Sequence, residues 1–483
     1  MHVDGAPGAQ GDQRSAKPRE RVGSGHRDSV ARARAAGRDA RRAMPRREQA
    51  DYTSHRRDVV DILEQQQRTR LPELAPVRIG RMLESPFAFY RGAAAVMAQD
   101  LSRAKVTGQI VMACGDAHLA NFGFFASPER RLIFDLNDFD EAYPAPWEWD
   151  IKRLAASVWL NGRNGSHTED ECRKATQACL RGYRTAFQQL YRGTAADRYY
   201  FHVDADLLRT TKAMAGRHIR EESTKARRRT SEQALTRLSS RTTDGEPRII
   251  DQPPIMRHPD VMDLALIEHL AGKYRSTLRA DTALLISQYR LVDYALRIVG
   301  VGSVGTRCWI LMFEGPAGEP LFLQAKEAGK SVLETHGGLA QPAGPIADSL
   351  VTHGEGSRVV GAHRILQAHS DPFLGWISGV EGPDGHVRDF YIRQFRDMKG
   401  SFRLAELDVD ESVDYGALCG SMLARAHSQS PGSAFIAGYL GRSDTFDEAV
   451  AAWARAYADQ TEQDFEHLRQ AVLAGRIPAE FGV

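Results

Sequence analysis

The run Gly115-Asp116-Ala117-His118-Leu119-Ala120-Asn121, with Leu132-Ile133-Phe134-Asp135-Leu136-Asn137-Asp138 close behind it, decides how this chain is read. A carboxylate, an imidazole and an amide fall within seven residues, and an apolar strand then delivers more carboxylates. That order suits phosphoryl transfer: Asp116 orients or deprotonates a hydroxyl, with His118 beside it, while Asn121 and a later Asp hold magnesium. The competing reading is ordinary loop chemistry, in which Asp and Asn side chains stabilise turns by bonding nearby backbone.

Working outward, Gln109 to Cys114 reads as a short buried strand leading into the Asp116 loop. Phe122–Phe125 and Leu132–Asp135 read as a hairpin around Ser127-Pro128-Glu129-Arg130. Ser85-Pro86 combines an N-cap with proline at the first helical position, and predicts a helix over 86–104. Further helices are expected at 57–70, 147–160, 169–192, 283–298, 357–369, 412–428 and 444–474. Residues 215–256 read as an exposed excursion or connector. Trp147 and Trp149 read as packing the loop against a helix.

A second constellation lies far downstream. Gly300-Val301-Gly302-Ser303-Val304-Gly305 fits the G-x-G-x-x-G pattern, but Cys308 to Phe313 after it is a strand. A dinucleotide-binding loop needs a helix there, so the pattern points to a glycine-rich hairpin covering phosphates, as in kinases. The following strand, Leu321 to Lys326, ends on a lysine that could pair with nucleotide phosphates. Glu327, Glu334 and Glu355 are candidate carboxylate partners for Lys326, with Glu334 preferred. Strands at 374–380 and 387–395 follow, and the latter runs into 396–400 where a hinge between lobes would fall.

The chain has 483 residues, 42% of them hydrophobic and 26% charged, enough for two or three domains of a soluble globular protein. No apolar run is long enough to span a membrane. The five cysteines are scattered without zinc-ligand spacing and read as buried, reduced thiols, so a cytoplasmic location is expected. Residues 1–50 hold 12 Lys and Arg against 6 Asp and Glu, the composition of a disordered basic arm. No aromatics interleave with those charges, so nucleic acid is not an expected partner beyond weak contact by the arm.

Several segments resemble a bacterial family, the domain of unknown function 2252. They are Ser85–Gly92, Gly115–Gly123, Asn137–Glu141, Pro146–Leu154, Val299–Arg307, Gln324–Ala328 and Ala424–His427, and that family has no established activity. The Asp116 loop also resembles the catalytic loop of aminoglycoside phosphotransferases and related small-molecule kinases, which carry Asp, then His two later, then Asn five later. By that resemblance Asp116 is base or orienter, Asn121 with Asp135 or Asp138 holds magnesium, Asp150 braces the loop, and Lys326 with Gly300, Gly302, Ser303 and Gly305 grips the phosphates of ATP.

The implied fold is α+β, kinase-like and bilobal, but with the motif order reversed, hence circularly permuted. A helical lobe spans 51–298, a glycine-loop antiparallel β lobe 299–400, and C-terminal helices 401–483 return to the helical lobe. The expected function is ATP- and magnesium-dependent transfer to a small-molecule hydroxyl. Two alternatives stand beside it. One is a catalytically silent, pseudokinase-like nucleotide binder. The other is a metal-dependent phosphohydrolase in which Asp116, His118 and the Asp135–Asp140 carboxylates hold a metal, with His427 as a distant ligand or, preferably, a packed histidine.

Overall fold

A computed structural model describes residues 24–210, 217–259, 264–298, 300–339, 350, 353–382, 384–395 and 397–482. The fold is a mixture of α-helices and several antiparallel sheets. Its helical part is built on Trp147–Asn164, Glu169–Leu190, Val409–His427 and Thr445–Leu473. Two of these start on capping boxes, Thr168 with Glu171 and Asp408 with Glu411, which satisfy N–H groups that the first turn leaves unpaired. Trp147 is fully buried and stacks on Tyr183 at 6.0 Å between ring centroids. All five cysteines are buried and none is in a disulfide. No helix among the described residues is long and apolar enough to cross a membrane.

The strands run, in chain order, β1 (Ile110–Ala113), β2 (Phe122–Ala126), β3 (Leu132–Leu136), β4 (Tyr143–Pro146), β5 (Val203–Asp204), β6 (Ser239–Arg241), β7 (Pro247–Ile249), β8 (Met256–Arg257), β9 (Arg290–Arg297), β10 (Cys308–Glu314), β11 (Pro320–Ala328), β12 (Gly375–Glu381) and β13 (Val387–Gln394). β1 pairs with β4, and β2, β3 and β5 form a second small sheet. The main sheet has the order β12-β13-β11-β10-β9-β8, with every pair antiparallel.

Period-two alternation along β11 sets the chemistry of that sheet. Leu321, Leu323 and Ala325 pack beneath the helix Leu264–Thr277, while Phe322 faces Ala234 and Leu238 of the helix Ser231–Leu238. Lys326 lies on the Phe322 face, whereas Glu327 lies on the other. After β13 the chain passes β2, where Gly400 exchanges backbone bonds of 2.9 Å with Phe124. This crossing lies within the expected hinge.

Four expectations are corrected. The helix expected over 283–298 stops at Ile286, and Arg290–Arg297 is a strand paired with β10. The sheet therefore begins before residue 299. Apolar residues at 283–286 had suggested a helical period running further, but pairing with β10 overrides it. The connector expected over 215–256 contains the helices Arg217–Arg227 and Ser231–Leu238 and the β6–β7 hairpin, and it covers one sheet face.

The third concerns the arm. Residues 1–23 lie outside those described, but Ser24–Ala40 is a helix rather than a disordered segment. It packs on the helix Ala434–Leu440 by backbone contact: a Cβ on Gly37 would lie 2.0 Å from the carbonyl of Phe435. Arg41 then donates to the carbonyls of Gly438 and Tyr439, and Arg46 to that of Leu440. The basic residues that had suggested disorder satisfy the last carbonyls of a helix. The helix expected over 86–104 is present as two, Pro86–Gly92 and Ala94–Leu101, with Ala93 out of helical geometry between them.

Candidate functional site

β1 ends at Ala113, and the chain enters the Asp116 loop through a tight left-handed turn. Gly115 has φ +80°, and a Cβ there would lie 2.1 Å from the carbonyl oxygen of Glu141, so only glycine fits. Asp150, in the first turn of the helix Trp147–Asn164, accepts the N–H groups of Cys114 at 2.6 Å and Gly115 at 2.9 Å. His427 completes that buried network, 3.0 Å from Asp150 through Nε2 and 2.8 Å from the Tyr183 hydroxyl through Nδ1. Asp150 thus braces the loop, and His427 is packed between Asp150 and Tyr183.

The loop is tied down along its length. The Asn121 amide nitrogen donates to the carbonyl of Asp116 at 2.7 Å, and Ser157 Oγ accepts from the N–H of Leu119 at 3.0 Å. Arg153, one turn beyond Asp150, donates through Nε to Asp116 Oδ1 at 2.8 Å. His118 is buried, and that burial lowers its pKa to about 4, so the imidazole is neutral at pH 7. Its Nδ1 has no hydrogen-bond partner among the described residues.

The carboxylate turn follows β3. The N–H of Asn137 donates to the carbonyl of Asn121 at 2.9 Å, which joins the two loops. Lys326 and Tyr391 are cross-strand neighbours on β11 and β13, and both hold Asp140: the lysine ammonium pairs with Oδ2 and the tyrosine hydroxyl donates to Oδ1 at 2.8 Å. Arg358, on the helix Glu355–Leu366, donates to the carbonyls of Asp140 and Ala142.

Burial by itself would lower the Lys326 pKa, but Asp138 and Asp140 hold it well above the usual lysine value. Burial would likewise raise that of Asp138, yet Lys326, Arg393 and Lys399 hold it well below the carboxylate range. Glu141 is less well compensated: burial pushes its pKa up to about 7 despite the bond it accepts from the N–H of Val332 and the nearby Arg358.

These parts enclose one cavity of about 780 Å³, within the range of small-molecule sites. Asp116, His118, Asn121 and Asp138 line it from the two loops, and Gly300, Gly302 and Ser303 line it from the segment between β9 and β10. Lys326 stands directly behind Asp140, which itself lines the cavity. Two sequence motifs separated by about 180 residues therefore share a single enclosure.

Of the other expected site residues, Asp135, Glu334 and Gly305 lie off the cavity lining, whereas Glu327 and Glu355 line it but pair with arginines. Asp135 points away from the cavity and accepts the N–H groups of Leu136 and Ala368, anchoring the segment after the helix Glu355–Leu366. Of the two rival magnesium ligands, Asp138 is therefore the one at the cavity. Glu334 pairs with Lys330 at 2.9 Å rather than with Lys326, and Glu327 pairs with Arg307 and Arg388 on the opposite face of β11. Glu355 turns to Arg358. Gly305 does not line the cavity; its carbonyl accepts from Leu71. Val299 lies outside the described residues.

Sequence reasoning missed Asp140 as the partner of Lys326, and it missed Tyr391, Arg70 and Arg78. No local spacing marks them, because each is brought to the site by long-range packing. Among the described residues no group of three or more His, Cys, Asp and Glu side chains is placed to hold a metal ion. Asn121 and Asp138 offer two oxygen-bearing side chains at the cavity. Such oxygen donors fit magnesium, which takes its remaining ligands from phosphate and water.

No curated protein and no solved structure matches the chain. A family model described as an uncharacterised protein conserved in bacteria matches residues 70–471. By that match the chain belongs to the domain of unknown function 2252 family.

Proposed function

We propose that this protein is an ATP- and magnesium-dependent phosphotransferase acting on a small-molecule hydroxyl, with a kinase-like site assembled in permuted order. The observation that carries the reading is the shared cavity: Asp116, Asn121 and Asp138 face the glycine segment across one enclosure, with Lys326 behind Asp140. Phosphoryl transfer asks the protein mainly for positioning and charge stabilisation, and the residues present divide that work.

Asp116 is held by Arg153 in one orientation and receives the acceptor hydroxyl. His118, neutral and buried, adds an uncharged wall beside it. The Asn121 amide nitrogen is committed to the Asp116 carbonyl, which leaves its oxygen as the group available to a cation. Lys326 and Arg393 hold Asp138 ionised in its buried position, and Lys326 also pairs with Asp140. Magnesium held by Asn121 and Asp138 would neutralise charge on the phosphates. The glycine segment offers backbone N–H groups where a side chain would keep the phosphates at a distance.

One observation favours a second reading, a nucleotide binder without transfer activity: the Asp116 carboxylate is already engaged by a guanidinium. Incubation with radiolabelled ATP, magnesium and a panel of small hydroxyl compounds separates the two. The first reading expects labelled product from the wild type and a loss of about 100-fold or more in Asp116→Asn, the usual weight of a general base. Nucleotide binding without product from either form would establish the second.

A further inference from the structure

The cavity wall formed by the first helices carries three guanidinium groups, from Arg70, Arg78 and Arg91. Arg78 is fully buried. Its Nη2 donates to the Gly92 carbonyl at 2.8 Å, exposed where the two helices part at Ala93, and to Gln66 Oε1 at 3.0 Å. Its Nε and Nη1 are buried without a partner among the described residues, as is Nε of Arg91. Arg70 Nη1 donates to the carbonyl of Val304. Among the described residues no carboxylate forms an ion pair with any of the three.

A buried guanidinium without an anion is costly, and unused buried donors at a cavity call for a ligand that uses them. Mutual repulsion adds to the cost, since Arg70 itself depresses the pKa of Arg78 after the larger effect of burial. An oxyanion relieves both penalties, and guanidinium groups bind phosphate and carboxylate through paired N–H donors.

We infer that the Arg70, Arg78 and Arg91 wall is an anion site that holds a phosphate or carboxylate carried by the acceptor. This assignment to the acceptor rests on the phosphotransferase reading above. It follows from where the wall stands: Arg91 lines the cavity together with Asp116 and His118 and acts on Asp116 ahead of Asp138, while Arg70 meets the glycine segment at Val304. Asp138 is held chiefly by Lys326, Arg393 and Lys399, with Arg91 also within its reach. The substrate class is thus a hydroxyl compound that already bears a negative charge.

Inorganic phosphate serves as the probe, titrated into the full chain with and without a saturating non-hydrolysable ATP analogue and magnesium, with binding read from the melting temperature. The expected result is a phosphate shift that persists on top of the analogue shift. Arg78→Gln should weaken phosphate by about tenfold or more while keeping the analogue shift, the weight of one charge-assisted contact. Arg91→Gln, at a less buried position, provides the same readout if Arg78→Gln does not fold.

Succinate in a parallel titration distinguishes a carboxylate preference from a phosphate preference. Loss of the phosphate shift once the analogue is bound would overturn the inference, because the arginines would then belong to the nucleotide. Absence of any anion shift would overturn it too, leaving the nucleotide reading intact. An anion shift without an analogue shift would remove the nucleotide reading and with it the assignment to an acceptor.

Discussion

Lys326 and Asp140 are 186 residues apart in the chain and bonded in the fold. The pair joins the main sheet to the carboxylate turn of the helical part, and Tyr391 holds the second oxygen of the same carboxylate. A strand-end lysine and an acidic loop that share no local sequence relationship are thereby made one electrostatic unit.

Removing the lysine should therefore be expensive. In Lys326→Met the Asp138 and Asp140 carboxylates lose their buried cation, and breaking such a pair costs roughly 3–5 kcal/mol. The pH dependence has a definite sign. The folded-state pKa of Asp138 is depressed, so its contribution is present above the unfolded value of about 3.9 and is lost as pH falls through the lower folded value. In the variant the Asp138 carboxylate loses that support and protonates more readily. The stability gap between wild type and variant, measured by urea unfolding, should hold from pH 8 to about 4 and narrow below that.

Glu141 should act in the opposite direction. Its folded pKa of about 7 lies above the unfolded value of about 4.3. The stability it contributes is complete below pH 4.3 and is lost as pH rises through 7, at up to about 1.4 kcal/mol per pH unit. Glu141→Gln keeps an acceptor for the N–H of Val332 and removes the titration. Urea midpoints from pH 4.5 to 8 should fall less steeply with pH in the variant than in the wild type.

Asp150→Ala leaves two buried N–H groups and a buried histidine without their acceptor. At about 1–3 kcal/mol for each abandoned group, a loss of 3 kcal/mol or more is expected in equilibrium unfolding.

Two glycines with positive φ give a matched comparison. Gly108→Ala meets no atom within 4 Å and should cost only the backbone penalty of about 1–2 kcal/mol. Gly115→Ala adds a collision with the Glu141 carbonyl and should cost more than about 3 kcal/mol. Thermal denaturation of the two variants side by side tests whether the Asp116 loop and the carboxylate turn touch as described.

The parts that were legible in the sequence were those whose information is local. Ser85 caps its helix as its type and spacing suggest, and the β2–β3 hairpin pairs Gly123 with Asp135. Asp116, His118 and Asn121 reach the cavity together because a short stretch of chain fixes them relative to one another. Choosing between Asp135 and Asp138 was beyond local pattern, since it depends on Ala368 arriving from 233 residues away to take the Asp135 carboxylate. Glu334 was preferred for its place in the helix-like stretch after the strand, but Lys330, just before that helix, claims it. The strand Arg290–Arg297 was hidden for a related reason: its partner β10 decides its conformation.

Calorimetric titration of ATP with magnesium into the wild type, Asp138→Asn and Lys326→Met tests most directly whether the early loops and the late sheet form one nucleotide site. The account predicts binding to the wild type, together with stabilisation of about 2.7 kcal/mol when ligand stands at 100 times its Kd. It also predicts a loss of about tenfold or more in affinity for each variant, since each removes a charge from the same enclosure. No heat and no stabilisation from the wild type at millimolar ATP and magnesium would contradict it.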